Sequence, residues 1–338
     1  MRLAMLAPIA WRTPPREYGP WEQVVANLTN GLVQLGIDVT LYATGDSATR
    51  AKLRSVVERG YEEDSSYNVK VFEALHIARV FEEAAQFDLI HNHFDFLPLM
   101  WSRLVATPMV ATIHGFSSAG ILPAYRAYDD RVHYVAISEA DRQPDLTYTA
   151  TIHHGIDLDA FAYRPDADPD GHVLFFGRIH PDKGAAAAIE IARAAGRPIV
   201  LAGIIQDQGY FESEVRPRLG LDATYVGAVG GSDRAVLLGS AAALLHPIAF
   251  EEPFGLSVVE AMACGTPVIA YRRGSMPELI RNGVNGFLVD GLDEAVAALA
   301  RLDELERRAC RVDAQERFSS ARMVAEYVAV YDQILKGG

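Results

Sequence analysis

Short apolar runs alternate with longer stretches of helical periodicity along the whole chain, and this alternation limits the fold more than any other feature. Parallel strands cannot be joined by tight turns, so a strand, a crossover helix and another strand must follow one another, with helices covering both faces of the sheet. In the first half the runs expected as strands are Leu3–Leu6, Val39–Tyr42, Leu89–His91, Met109–Ile113 and Val132–Ala136. Between the first two, Val24, Val25, Leu28, Gly31, Leu32 and Leu35 recur at three- and four-residue spacing, and Gly36 stands where a glycine ends a helix. The stretch Tyr163 to Gly171 is dense in Pro, Asp and Gly and is taken as the domain boundary. The rhythm then restarts at Val173–Phe176, Ile199–Ala202, Thr224–Val226, Ala243–His246, Val268–Ala270 and Phe287–Val289, with helices of 8 to 12 residues expected between them. A second doubly wound α/β sheet follows from this. Ala321 to Leu335 places Met323, Val324, Tyr327, Val328, Tyr331 and Ile334 on one face of an amphipathic helix.

A length of 338 residues suits two such domains. The formal charge of −13, negative in both halves, argues against nucleic acid and against an anionic membrane surface as partners. Cys264 and Cys310 fit no disulfide framework and no ligand spacing, which points to a reducing cytoplasm. No apolar run reaches the roughly 18 residues that span a bilayer, and Met1 to Pro8 is too short for a signal sequence, so neither a leader nor integral membrane association is expected.

The densest chemistry lies in Phe250 to Pro267, where Glu252 and Glu260 flank the start of an expected helix at Gly255 and Leu256. Free amides at a helix start meet polar or anionic groups, and ionised carboxylates accept hydrogen bonds from adjacent sugar hydroxyls. The same spacing also suits a capped, solvated helix. Arg178 and Lys183 follow the first strand of the second half, at the rim where open α/β sheets bind ligands. They suit the growing charge of a diphosphate leaving group, or are ordinary surface cations. In Tyr18-Gly19-Pro20, Gly19 lets backbone approach a phosphate. His114 closes a strand, and the His91-Asn92-His93 pattern reads as hydrogen-bonded core histidines or, with a third ligand, as a metal site. Gly227 to Gly231 has the wrong spacing for a dinucleotide fingerprint.

Together these stretches resemble the retaining glycosyltransferases of family 4, with the GT-B architecture and a group 1 glycosyltransferase motif. Glu252-Pro253-Phe254-Gly255-Leu256-Ser257-Val258-Val259-Glu260, followed by Ala261 to Val268, carries the resemblance. It implies two Rossmann-like domains facing each other across a cleft: residues 1–162 for the acceptor, residues 163–318 for the nucleotide sugar, and a helix at 319–338 crossing back to the first domain. It implies that Arg178 and Lys183 hold the diphosphate, Glu252 the transferred sugar, Glu260 the ribose, and His114 the rim beside the sugar. Phe254, Gly255, Leu256 and Ser257 would line the donor, with Gly19 near its phosphate. Ser138 lies in a Val-Ala-Ile-Ser strand end like the family's, and His153 to Phe161 resembles its entry to the linker. Departures are Gly19-Pro20 in place of two glycines, His154 in place of an asparagine, and Arg273 to Glu278 in place of a Gly-Gly-x-Pro-Glu pattern. The expected donor is a UDP-sugar, UDP-glucose by family frequency, and the expected acceptor is a small molecule or saccharide. No cofactor and no metal are expected: the architecture needs no Asp-x-Asp metal motif, and the candidate Asp166-Ala167-Asp168 falls in the linker. The rivals are a nucleotide-sugar isomerase or epimerase of the same architecture and a non-catalytic nucleotide-sugar-binding protein.

Overall fold

A computed structural model describes residues 1–116, 118–168 and 171–337. Pro169 and Asp170 of the expected linker lie outside the described residues. The chain forms two compact units, Met1–Gly155 with Ser320–Gly338, and Ile156–Ser319.

In the first unit, β1 (Arg2–Leu6), β2 (Asp38–Tyr42), β3 (Lys52–Arg54), β4 (Leu89–Asn92), β5 (Met109–Ile113), β6 (Val132–Ala136) and β7 (Tyr148–Thr151) form one sheet. Their order is β3-β2-β1-β4-β5-β6-β7 and every neighbouring pair is parallel. The central strands are buried along almost their whole length, which is why they read as continuous apolar runs. The edge strands β3 and β7 are additional to those expected from sequence. Lys52-Leu53-Arg54 is polar and Tyr148–Thr151 is only half-buried, so neither edge carries an apolar run.

The helix Pro20–Gln34 follows β1, with Pro20 at its first position and Gly36, at φ 80°, just past its end. The closing helix Ser320–Gly337 packs against it, and a Cβ on Gly31 would stand 2.5 Å from Val324 Cγ2, so glycine is what lets the two helices approach. Its buried face is Met323, Val324, Tyr327, Val330, Tyr331 and Ile334. Val330 thus takes the place expected for Val328, which is half-buried, because the groove meets the helix slightly round from the apolar stripe.

The second unit holds β8 (Val173–Phe176), β9 (Ile199–Ala202), β10 (Ala223–Tyr225), β11 (Leu244–His246), β12 (Val268–Tyr271) and β13 (Gly286–Val289) in the order β10-β9-β8-β11-β12-β13, all parallel. The regular helices expected in every connection are replaced in two of them. Gln208–Tyr210, Phe211–Val215 and Arg216–Arg218 are successive short helical pieces between β9 and β10, and only Met276–Leu279 is helical between β12 and β13. Residues before the Pro/Asp/Gly stretch already belong to this unit: Arg311 donates to the carbonyls of Phe161 at 2.7 Å and of Leu158 at 3.4 Å, and Arg164 N donates to Cys264 O at 3.0 Å. In each sheet the strand order reverses once, between β1 and β4 and between β8 and β11. Ligands of open α/β sheets bind beyond the carboxyl ends of the strands at such a reversal.

Candidate active site

The two reversal strands of the second unit deliver the charged residues. After β8 the chain runs through Gly177 and Arg178, and Gly203, at φ 146°, brings the loop after β9 against it; a Cβ there would lie 1.9 Å from Gly177 O. Ile179 N donates to Ile204 O at 2.8 Å, and Arg178 donates to Gln206 Oε1. Among the described residues no carboxylate pairs with Arg178. The turn Pro181–Lys183 ends at Gly184, whose φ of 77° is left-handed and whose Cβ would meet Pro247 O at 2.1 Å. Close backbone packing of the loops after β8 and β11 therefore sets Lys183 against Glu252.

Lys183 Nζ is ion-paired with Glu252 Oε2, both side chains being largely buried, and lies 4.5 Å above the Phe250 ring. His246, the last residue of β11, places Nε2 3.6 Å from the same oxygen. Burial alone would raise the Glu252 carboxyl, but His246 and Lys183 outweigh it and bring it to about 2, so it stays a carboxylate. Its main chain is clamped: Ser275 N donates to Glu252 O at 2.9 Å, and Gly274 approaches so closely that a Cβ would lie 2.3 Å from Glu252 N and O.

Gly255, at φ 97°, turns the chain into the helix Leu256–Ala263, and Ser275 Oγ donates to Phe254 O at 2.6 Å. Leu256 and Ser257 occupy the first two positions, where amides have no acceptor inside the helix. Glu260, one turn further, is buried and paired with Arg234 from the helix Gly231–Ser240, whose guanidinium lies 5.0 Å from the Phe176 ring centroid at the end of β8. Burial raises the Glu260 carboxyl against the pull of Arg234. Arg178, Lys183, Glu252 and Glu260 thus gather beyond β8 and β11, with both glutamates already cation-paired rather than open. Arg234, Gln206 and His246 join them and carry no motif in the sequence; each is identifiable only from strand order.

The first unit holds Gly19 and His114. Gly19, at φ 148°, is wedged so that a Cβ would stand 2.8 Å from Pro15 Cβ and 3.0 Å from Glu22 Oε2. Glu22 is buried, accepts from Trp11 N at 3.3 Å, and is pushed by burial up to about 7. A carboxyl with its proton affinity raised this far can donate to or accept from a polar group beside Gly19. His114 ends β5 and is buried, stacked on Trp21 at 5.1 Å. Its Nε2 is 2.8 Å from His93 Nδ1 and its Nδ1 is 3.2 Å from His154 Nε2, so both ring nitrogens are engaged by other histidines. His91 bonds Tyr331 Oη at 2.6 Å and Thr112 Oγ1 at 2.8 Å. Among the described residues no group of three or more His, Cys, Asp or Glu side chains is disposed to hold a metal ion.

Residues 21–160 match the family described as Glycosyltransferase Family 4, and residues 164–321 the family described as Glycosyl transferases group 1. The D-inositol 3-phosphate glycosyltransferase of Arthrobacter sp. (strain FB24) is 30% identical over 250 residues, a match that covers 61% of this chain and 59% of that protein's length. The crystal structure of AviGT4, a glycosyltransferase involved in avilamycin A biosynthesis, is similar with a TM-score of 0.74 at 26% identity, over 100% of this chain and 99% of that one. HepE from Anabaena, solved in complex with UDP-glucose, has the same fold, with a TM-score of 0.74 at 19% identity over 100% of both chains. No helix among the described residues is long and apolar enough to cross a membrane.

Proposed function

The chain belongs to glycosyltransferase family 4, its second half being a group 1 glycosyltransferase domain, and from that premise we propose that it moves a hexose from a nucleotide diphosphate-sugar, UDP-glucose, to an acceptor hydroxyl with retention at the anomeric carbon. The observation that carries this reading is the pair Lys183 and Glu252 at the β8/β11 reversal, with Arg178, which pairs with no carboxylate among the described residues, on the adjoining loop. Cleavage of the bond between the sugar C1 and the diphosphate oxygen leaves charge on the diphosphate. Arg178, Lys183 and the amides of Leu256 and Ser257 are fixed donors for that charge, and preorganised donors of this kind dominate such catalysis. Glu252, held ionised, accepts from the sugar hydroxyls, and Glu260 from those of the ribose. The acceptor oxygen bonds C1 on the face the leaving group departs from, and its proton passes to the departing phosphate oxygen. No metal enters this scheme.

The acceptor proposed is a hydroxyl-rich small molecule or saccharide. Relatives named for D-inositol 3-phosphate and the carboxyl of Glu22 beside Gly19 both favour such a group. The test is incubation with UDP-glucose, UDP-N-acetylglucosamine and GDP-mannose, alone and with polyol acceptors, after a thermal-shift screen of the same donors. A donor that binds the folded state raises the melting temperature. Transfer product with conserved anomeric configuration and full activity in chelator are expected. A new sugar nucleotide formed without acceptor makes the protein an isomerase, and no response to any nucleotide sugar ends the proposal.

A further inference from the structure

We propose that Arg234 is a positioning residue of the donor site: it holds one oxygen of Glu260 so that the other is presented as a fixed, charged acceptor, and the preference for ribose over deoxyribose nucleotides depends on it. The inference rests on the reading of Glu260 as the ribose residue and deepens it by naming the group that makes that carboxylate usable.

The pair is assembled from two helices. Glu260 lies midway along Leu256–Ala263, with only 2% of its side-chain surface exposed. Arg234 lies in the first turn of Gly231–Ser240, and its Nη2 donates to Glu260 Oε2. Phe176, ending β8, sets its ring 5.0 Å from the guanidinium and gives that planar group a surface to rest on. A cation in the first turn meets the positive end of the helix dipole, so nothing in Gly231–Ser240 itself favours arginine at this position. The favourable partner is Glu260.

Other cations beside Leu256–Ala263 are committed elsewhere. From the helix Arg307–Phe318, Arg311 donates to Ala263 O at 2.8 Å, while Arg307 donates to Ala241 O at 3.0 Å and to Gly239 O at 2.7 Å. Lys183 is paired with Glu252. Burial raises the Glu260 carboxyl, and Arg234 is the group that pulls against it. Without Arg234 the carboxyl moves further toward the neutral acid, whose hydrogen bonds are roughly half as strong as those of a carboxylate. Arg234 takes Oε2, and among the described residues Oε1 accepts from no donor, which leaves it for the hydroxyls of a ribose. A nucleotide lacking those hydroxyls leaves a buried acceptor unfilled, and sites built this way reject such analogues.

Calorimetric titration of the full chain with UDP and with 2′,3′-dideoxy-UDP tests this without any transfer, the guanosine pair replacing them if the thermal-shift screen selects GDP. The wild type should bind UDP at least about tenfold more tightly than the dideoxy analogue, and Glu260→Gln should lose most of that ratio. Arg234→Gln should bring the ratio to about threefold or less, whereas Arg234→Lys, which keeps the charge, should retain more of it. A general loosening of the site weakens both nucleotides alike, so a wild-type ratio in Arg234→Gln overturns the proposal whatever the separate affinities do. A lysine variant no better than the glutamine one overturns the part given to charge. Should Arg234→Gln fail to fold, Arg234→Met, which keeps an apolar stem over Phe176, is read in its place with the same two outcomes. A ratio lost in Glu260→Gln but kept in Arg234→Gln overturns this inference alone. Equal binding of the two nucleotides by the wild type removes Glu260 from the ribose and this inference with it, and no binding of either ends the proposed function as well.

Discussion

The buried carboxyls of the second unit's site sit in ion pairs, whereas the buried histidines and carboxyls of the first unit are shifted toward their neutral forms by burial. Lys183 with Glu252 and Arg234 with Glu260 pair buried carboxyls with cations beyond β8 and β11. In the first unit His76, His91, His93, His114 and His154 are all pushed down, and Glu22, Asp95 and Asp141 are pushed up to about 7, 6 and 7. One sheet topology thus supports two kinds of polar interior. On the function proposed above, the site that would meet the diphosphate keeps its cations in ion pairs, at the cost of desolvating them, and the one that would take the acceptor is built from groups shifted toward their neutral forms.

Acidification should separate the two units most strongly. A histidine whose folded value lies below the ordinary 6.5 stabilises the fold fully above 6.5 and loses that contribution as pH falls toward its folded value, about 4 for His76 and about 3 for His114. Each such group is worth up to ~1.4 kcal/mol per pH unit. The raised carboxyls of Glu22, Asp95 and Asp141 run the other way between their ordinary values and 6 to 7, which leaves the five histidines in the majority. Glu252, depressed from 4.5 to about 2, protects the second unit until pH falls below 4.5. The three tryptophans, Trp11, Trp21 and Trp101, all lie in the first unit, so their fluorescence follows that unit alone. Urea midpoints by tryptophan fluorescence should fall from pH 6.5 to 4.5, with a flat midpoint breaking the contrast.

Lys183→Ala comes next in size. It removes a preorganised cation and leaves Glu252 buried without its ion-pair partner, so kcat should fall about 10²-fold or more. Circular dichroism confirms that the variant is folded, and a fall of less than threefold takes Lys183 out of the chemistry. Glu260→Gln should act on binding instead, raising donor KM about tenfold with kcat nearly unchanged, as expected for uniform binding lost with one acceptor. An unchanged KM would mean that Glu260 serves Arg234 and not the ribose.

The sequence disclosed the parts of the fold whose environment leaves no compositional choice. Strands buried on both faces must be apolar throughout, and β1, β2, β5 and β8 lie within a residue of where their runs predict them. The edges β3 and β7 have one side in water and no such constraint. Of the site, the Glu252 to Glu260 spacing was readable because loop and helix are contiguous. The partners were not: Lys183 meets Glu252 from 69 residues away, and Arg234 meets Glu260 from 26, through strand order alone. The histidine chain was hidden for the same reason, since nothing local says that residues 93, 114 and 154 end on one rim.

The smallest effect concerns the closing helix that completes the first unit. Gly31→Ala gains up to ~1 kcal/mol of helix propensity, yet its Cβ would fall 2.5 Å from Val324 Cγ2, and overpacking of that kind costs ~1–3 kcal/mol. A net loss of about 1 kcal/mol is expected, read by the same tryptophan transition. Gly36→Ala makes a useful control, because space around it is open and its cost comes only from the φ of 80°. If helix contact is the cause, Val324→Ala should rescue Gly31→Ala and leave Gly36→Ala unrescued, since only residues in contact couple. Additive behaviour in both pairs would show that the closing helix yields at Gly31, and that the first unit does not depend on this close approach.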